Sequence, residues 1–348
     1  MRVGKTPQAI LAAEKVGARN ILVVCPAIAV PHWNREFDAW WPGHPPVTVV
    51  SYDYSRGHRA ELTRNVWDVV IVDEAHFAKN PEAQRTKLIY GKGGLGWASK
   101  RLWALSGTPA PKHAGELWPM LRAFGVVGMR YSEFIDRYCT VDSFTGRVTG
   151  TKVGAVPELR EFLKKIMLRR TRKEVAPDMP AISFSFLEVD AEGADVSAPE
   201  NMSDEDLEAW MEWNVVTGNE RIDVALSKVD ALVEEIVFTI DHGLLKQAVV
   251  FGWHRLAVEA LAHQLKARDI TLGVITGRTG AAARASVQEA FRRHEIQVVV
   301  ANILAAGTAI DLSAASHGYF LELDWVPGNN LQAANRLVSM DKREPVTI

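Results

Sequence analysis

Gly4-Lys5-Thr6 stands at the start of the chain, directly ahead of a segment with helical spacing. These residue types suit the back half of a phosphate-binding loop. Main-chain N–H groups in such a loop, and at the N-terminus of the helix after it, cradle phosphate oxygens. Lys5 would reach the β- and γ-phosphates, and the Thr6 hydroxyl would hold Mg²⁺. Pro7 suits the first turn of the helix, where its missing N–H costs nothing. A Gly-Lys-Thr tripeptide arises often by chance, so its meaning depends on what else the chain carries.

The stretch WDVVIVDEAHFAKN, residues 67–80, provides the support. An apolar run ends there in Asp73-Glu74. Carboxylates at the C-terminal end of a parallel strand face the crevice where ligands bind. Asp73 can hold Mg²⁺ through its water shell, because that ion favours a few carboxylates together with phosphates. Glu74 can orient an attacking water. The competing interpretation is an acidic turn at a strand end. Lys5 and Thr6 about 70 residues upstream favour the chemistry.

Elements that position such groups are visible in the pattern. The runs ILVVCP, VTVVSY, DVVIVDE and RLWALSG come first, and QAVVFG, LGVITG, IQVVVAN and HGYFLELD come later. They are rich in Val, Ile and Leu without polar alternation, as strands buried on both faces should be. Helical stretches separate them. Val30, Trp33, Phe37 and Trp40 form one apolar stripe, and Leu256, Ala260 and Leu261 another. This rhythm, met twice, predicts an α/β protein with two mostly parallel sheets covered by helices. Residues 113–172 read as mostly helical. Residues 190–223 hold eleven acidic residues and one basic one, Arg221. That stretch reads as a solvated linker, with a short helix in MSDEDLEAWMEW capped by Ser203. The expected divisions are a first lobe over 1–112, a helical insertion and closing segment over 113–189, the acidic linker over 190–223 and a second lobe over 224–348.

Composition limits the function classes. The formal net charge of −2 offers no global basic field, so any nucleic-acid groove must be local. The two cysteines make neither a metal site nor a disulfide framework, and Cys25 falls in an apolar run that predicts burial. No signal-peptide pattern is present. The longest apolar stretch, from Ile21 to Pro31, is broken by Pro26 and too short to span a bilayer. An intracellular chain without a membrane partner is the expectation. It would be cytoplasmic and nucleoid-associated in a prokaryote or phage-infected cell, and nuclear in a eukaryote. No internal repeat or low-complexity tract is seen.

Taken together, Gly4-Lys5-Thr6, Asp73-Glu74-Ala75-His76, Ser106-Gly107-Thr108-Pro109 and Gln332-Ala333 with Arg336 resemble motifs I, II, III and VI of SNF2-type superfamily 2 ATPases. KNPEAQRTK, IMLRRTRKEVAPDMP and LELDWVPGNNLQAANR match further segments of that family. ELWPML and FIDRYC look most like its annealing-helicase-related branch and that branch's bacterial and phage relatives. The resemblance covers nearly the whole chain except the acidic stretch. It implies two RecA-like lobes with a helical insertion between them, ATP and Mg²⁺ as cofactors, and translocation along duplex DNA. On this resemblance Gly4, Lys5 and Thr6 bind ATP, Thr6 and Asp73 hold Mg²⁺, and Glu74, Asp73, Gln332 and Arg336 carry the hydrolysis. Ser106, Gly107, Thr108, Gly307 and Asp311 couple the nucleotide to the DNA face. Candidates for backbone, sequence-independent DNA contact are Pro26, Ser51, Tyr52, His254, Arg255, Thr276, Gly277 and Asn302. The six basic residues between Lys164 and Lys173 are a charge run that reads first as a solvated face. The eleven tryptophans read as packing residues, with Trp253 and Trp325 the two expected near the cleft. The sequence names no protein partner.

Departures from the family pattern temper the expectation. The chain starts inside motif I, with Arg2 where the family usually has Gly, and runs only to EPVTI, a strand just after motif VI. Truncation at both ends is therefore expected. Ser339 stands where the family has a second arginine, and Met340-Asp341-Lys342 replaces the usual Ile-Gly-Gln. On a continuous helix Ser339 would share a face with Arg336. Arginine fingers are worth roughly 10³–10⁵ in rate. The leading expectation is an ATP-dependent duplex-DNA translocase in DNA repair or fork remodelling, slowed by Ser339. The alternative is a hydrolysis-impaired DNA-binding module that uses nucleotide as a switch. An RNA helicase fits less well, because the SNF2-type segments point to duplex DNA.

The loop assignment is testable by itself. Lys5→Ala should abolish stabilisation by Mg-ATP in a thermal-shift titration, because the positive charge facing the phosphates is gone. Equal shifts in wild type and variant would refute it.

Overall fold

The computed structural model describes residues 4–179, 181–188, 218–306, 310–339 and 342–348. It divides into two compact units, Met1–Pro177 and Asp178–Ile348.

The first unit is built on four parallel strands, β1 (Ile21–Cys25), β2 (Val47–Ser51), β3 (Val69–Val72) and β4 (Leu102–Ala104), in the order β2-β1-β3-β4. Every residue of β1 and β3 is buried, which explains their uninterrupted apolar sequence. Alternate side chains enter opposite layers. Ile21, Val23, Val69 and Ile71 pack against helices α1 (Lys5–Lys15) and α2 (Val30–Trp40), through Ala9, Ile10, Ala13, Trp33 and Phe37. Leu22, Val24, Val70 and Val72 face the other layer, where α3 (Tyr52–Gly57), α4 (Arg59–Arg64) and α5 (Gln84–Tyr90) bring Tyr52, Leu62, Leu88 and Ile89. In the α2 stripe Trp33 and Phe37 are core, but Trp40 is exposed and donates to Glu36 one turn back. Cys25 is buried, and burial pushes its thiol pKa up, so it is a core residue.

Residues 113–172 contain α6 (Trp118–Ala123), α7 (Tyr131–Tyr138) and α8 (Val156–Lys164), followed by α9 (Arg172–Val175). They form their own cluster around Leu121, Phe134, Tyr138 and Leu159. The expectation of mostly helix missed an antiparallel hairpin of β5 (Cys139–Val141) and β6 (Val148–Thr151). Its tip is tied by Asp142, whose Oδ1 accepts from the Phe144 and Thr145 amides and from the Thr145 hydroxyl. Gly146 takes φ 68°, the left-handed conformation that completes the turn.

The second unit carries six parallel strands in the order β7-β12-β11-β8-β10-β9. They are β7 (Ile182–Ser183), β8 (Ala248–Gly252), β9 (Leu272–Ile275), β10 (Val298–Asn302), β11 (His317–Phe320) and β12 (Val346–Thr347). The EPVTI segment is thus a strand, as its sequence predicts. β7 belongs to this sheet, although residues up to 189 were expected to close the first lobe. Helices α10 (Gly218–Ser227), α11 (Val229–Asp241) and α12 (Arg255–Ala267) bury Ala225, Val229, Leu232, Ile236, Val258, Leu261 and Leu265 against Ala248, Val250, Val298 and Val300. The remaining helices are α13 (Ala281–Arg292), α14 (Ile303–Ala306) and α15 (Pro327–Ala334). Gly273 lets α13 approach β9, since a Cβ there would lie 2.5 Å from Val287 Cγ1.

The expected α/β class with two helix-covered parallel sheets is what forms. Among the described residues no helix is long and apolar enough to cross a membrane. Arg2, most of the acidic stretch with its expected helix at 202–213, Gly307, Met340 and Asp341 lie outside the described residues.

Candidate functional site

In the first unit the candidate residues gather at the C-terminal end of β3. Gly4 caps α1 with φ 75°, a left-handed conformation that glycine adopts freely, and Lys5 begins the helix. Asp73 is held on three sides. Its amide donates to the Val24 carbonyl at 2.8 Å, Trp33 Nε1 donates to Oδ2 at 2.9 Å, and the Glu74 amide donates to Oδ1 at 2.9 Å. Burial raises the Asp73 pKa, and the Glu74 charge raises it further; the Trp33 bond and the nearby Lys5 ammonium oppose this. The Lys5 ammonium is thus among the charges that act on Asp73.

Glu74 has φ 47° and ψ 51°, left-handed in a residue with a Cβ. Such a backbone costs on the order of 1–3 kcal/mol and persists only where its surroundings enforce it. Tyr52 enforces it here. Its hydroxyl donates to the Asp73 carbonyl at 2.7 Å and reaches the Glu74 carbonyl at 3.3 Å. Burial keeps that phenol protonated, as a donor must be. The chain then enters a 3-10 turn, Ala75–Ala78, with the Ala75 amide on the Leu105 carbonyl at 2.8 Å.

His76 connects this turn to the second motif. Its Nδ1 lies 3.1 Å from Ser106 Oγ and 3.3 Å from Glu74 Oε2. Ser106 Oγ in turn accepts the Thr108 amide at 3.1 Å. Burial, then Lys79 and Lys5, pull the His76 pKa down to about 4, so the ring is neutral at physiological pH. Hydrogen bonds thus link His76 to Ser106 and Ser106 to Thr108, and the Glu74 carboxylate lies close to the same ring without a hydrogen bond to it. Beyond it, Lys79 pairs with buried Glu116 at 2.6 Å, and the Lys112 amide donates to the other Glu116 oxygen at 2.9 Å. The adjacent, half-buried carboxylates of Asp73 and Glu74, with Asp73 resisting ionisation, form a donor set that a divalent cation would stabilise.

In the second unit the candidates lie around the connection from β11 to α15. Buried Glu322 accepts the amides of Trp253 and His254 at 3.1 and 2.8 Å and contacts His254 Nδ1 at 2.6 Å, capping α12. Asp324 accepts the Val326 amide at 3.0 Å and the Asn329 side chain, while Asn330 bonds both main-chain groups of Asp324 at 2.8 Å. This shapes the entry to α15, which bears buried Gln332. Arg336 sits on the 3-10 turn Asn335–Leu337 after α15, and its carbonyl accepts the Leu312 amide at 3.0 Å. Val338 is extended, at φ −112° and ψ 138°. Ser339 therefore does not continue the helix or share a face with Arg336, contrary to the sequence-based expectation. Lys342 donates to the Ser313 and Ala315 carbonyls at 2.7 and 2.6 Å, and Arg343 is exposed. Asp311 accepts the Ser313 amide at 3.0 Å.

The candidates for DNA contact are dispersed over strand ends in both units, and several have polar atoms already engaged. Ser51 caps α3 by accepting the Tyr54 amide at 3.0 Å, and Tyr52 is buried in the bonds described above. His254 bonds Glu322, Asn302 bonds the Trp253 carbonyl, and Arg255 pairs with Glu259 at 3.2 Å. The buried Thr276 amide donates to Thr279 Oγ1 at 2.9 Å, whereas Gly277 is exposed and Pro26 half-buried at the end of β1. Arg284 braces the Thr276 loop by donating to the Thr276, Thr279 and Ala305 carbonyls.

The SNF2-related domain matches residues 43–198, and the helicase conserved C-terminal domain matches residues 227–340. The chain belongs to the SNF2-related helicase family. The SWI/SNF-related matrix-associated actin-dependent regulator of chromatin subfamily A-like protein 1 of Xenopus tropicalis is 28% identical, over 100% of this chain and 39% of its own length. The DNA annealing helicase and endonuclease ZRANB3 of Homo sapiens is 27% identical, over 97% of this chain and 34% of its own. The chain thus spans between a third and two-fifths of these relatives. Among solved structures, the Sulfolobus solfataricus SWI2/SNF2 ATPase core in complex with dsDNA is 18% identical with a TM-score of 0.46, covering all of this chain and 81% of that one.

Within this SNF2 frame, sequence reasoning missed Trp33, Tyr52 and His76 as supports of Asp73 and Glu74. Trp33 was assigned to a packing stripe, which it also fills. His76 was legible only as a member of its motif. Nothing in the spacing marks Glu116 as the partner of Lys79.

His76 makes a pH prediction. Its folded pKa of about 4 lies below the ordinary 6.5. The unfolded chain therefore binds more protons in that window, and stability is lost as pH falls from 6.5 towards 4. His76→Gln should lose about 3 kcal/mol less than wild type between pH 7 and pH 4, at 1.36 kcal/mol per unit. Urea unfolding at both pH values checks it, and identical losses would remove His76 from the account.

Proposed function

We propose that this chain is an ATP-driven motor that translocates on duplex DNA, acting in DNA repair or fork remodelling. The observation that carries this proposal is the placement of Asp73-Glu74 at the end of β3 beside His76, which is hydrogen-bonded to Ser106, whose Oγ accepts the Thr108 amide. A motor needs the state of its nucleotide to be felt elsewhere, and His76 stands between the Glu74 carboxylate, 3.3 Å away, and the second strand end, where it is hydrogen-bonded to Ser106.

In this proposal Gly4, Lys5 and Thr6 bind the phosphates at the N-terminus of α1. Thr6 and Asp73 would hold Mg²⁺, which neutralises phosphate charge when bound. Glu74, aimed by its enforced backbone, orients the attacking water. Gln332 and Arg336 face the transferring phosphoryl group, where positioned positive charge is much of the catalysis. Ser106, Gly107, Thr108, Gly307 and Asp311 relay the change. DNA is held through its backbone, at Pro26, Ser51, Gly277, Arg255 and their neighbours, and so without regard to sequence. The relatives' names, a chromatin regulator subfamily and an annealing helicase, support duplex DNA as the track.

A second proposal, a nucleotide switch with impaired hydrolysis, draws on Lys342. Its ammonium is occupied by two carbonyls, and Ser339 lies off the helix, so neither offers a second cation beside Arg336.

ATP turnover should rise with duplex DNA more than with single-stranded DNA or RNA, and the stimulation should fall steeply with salt as phosphate contacts release counterions. Glu74→Gln should keep its Mg-ATP thermal shift while turnover drops about 10²–10⁴-fold. Equal stimulation by RNA would sink the duplex-DNA proposal. Basal turnover indifferent to DNA, with DNA binding that depends on nucleotide, would favour the switch.

A further inference from the structure

Arg221 is the one basic residue in the acidic stretch 190–223. It lies half-buried on α10. Its guanidinium donates to the Leu323 carbonyl at 2.9 Å, and its Cζ lies 4.5 Å over the Trp325 ring. Arginine suits this double contact, because the flat cation stacks on an indole while its edge donates hydrogen bonds. Lysine can do only one of the two well.

The segment it grips is the connection from β11 to α15. Side chains alternate there between inside and outside. Glu322 and Asp324 are buried, whereas Leu323 and Trp325 are exposed, Trp325 at 67%. The inward pair is fixed, Glu322 to the start of α12 and Asp324 to the turn that opens α15. Arg221 holds the outward side, both backbone and ring. The same segment leads directly to Gln332 and Arg336.

We infer that Arg221 is a positioning residue for hydrolysis: by clamping the Leu323 carbonyl and the Trp325 ring it sets how α15 presents Gln332 and Arg336. The inference rests on the proposed ATPase function, and on Arg336 facing phosphate within it. Trp325 acts as the surface on which Arg221 is seated, and neither side chain is assigned a contact with nucleotide.

The test compares steady-state ATP turnover on saturating duplex DNA, nucleotide KM and melting temperature for the full chain. The variants are Arg221→Ala, Arg221→Lys, Trp325→Ala, Trp325→Phe and the double Arg221→Ala/Trp325→Ala. Misplacing a catalytic group by 1 Å costs up to about 10²-fold in rate, so Arg221→Ala and Trp325→Ala should each lower kcat about tenfold. KM and melting temperature should stay near wild type. The double variant should be no slower than either single one, because both remove the same clamp. Trp325→Phe should recover most of the rate, since a phenyl face still seats the cation, and Arg221→Lys should fall between wild type and Arg221→Ala. An Arg221→Ala chain with wild-type kcat overturns the inference and leaves the motor standing. A fall in kcat that follows melting temperature, or that Trp325→Phe fails to restore, marks a packing role and overturns it as well. A wild-type chain that hydrolyses no ATP overturns both the inference and the motor on which it rests.

Discussion

The first unit depends on the crowding of two consecutive, half-buried carboxylates at the end of β3. Two acids side by side in a low-dielectric setting repel each other, and each loses hydration. The fold answers with directed donors. Trp33 reaches Asp73 from α2, the Glu74 amide turns back onto the same carboxylate, and Tyr52 grips the two carbonyls from α3. These contacts come from both faces of the sheet. Helices that a hydrophobic count would treat as interchangeable cover are thereby fixed in register against β3. The left-handed Glu74 backbone is the local cost, and the donors around it hold it in place.

The second unit solves a related problem with different residues. Its loops are irregular where they approach the candidate site, and irregular backbone leaves carbonyls and amides without partners of their own. Buried or half-buried charged side chains occupy those groups. Glu322 takes two amides at the start of α12, Arg284 takes three carbonyls around the Thr276 loop, and Lys342 takes two beside β11. Removing one such side chain would leave its backbone partners buried and unsatisfied, at about 1–3 kcal/mol each. The shape of this face is therefore set by polar side chains rather than by apolar packing.

Much of this fold was legible because parallel strands announce themselves. Strands such as ILVVC and VVIV are buried on both faces, so their sequences carry no alternation to confuse them with anything else. Residues 139–151 were read as helix, since two three- to four-residue strands are too short to show a period, and the Asp142 turn that creates them works through hydrogen bonds. Trp33 and Tyr52 show the same limit at the site. Periodicity reports that a ring is buried, but not which atom its N–H or O–H meets. Ser339 was misplaced because a helical register was carried past Ala334, where a 3-10 turn and an extended Val338 end it.

The edge of the second sheet has a consequence for how the protein is made. β12, at Val346–Thr347, lies between β7, at Ile182–Ser183, and β11. About 160 residues separate β7 from β12 in sequence. At ~5–20 residues per second, a ribosome spends roughly 10–30 s between making β7 and making the strand that docks it. For that interval β7 waits beside Phe184 and Phe186, which are exposed even in the finished sheet, and β11, made late in it, is an open edge until β12 follows. Unpaired edges flanked by aromatic residues are templates for pairing with other chains. The nascent protein thus passes through a window in which a holdase has something to bind, and in which crowding on a polysome favours pairing between neighbouring chains over closure of the sheet.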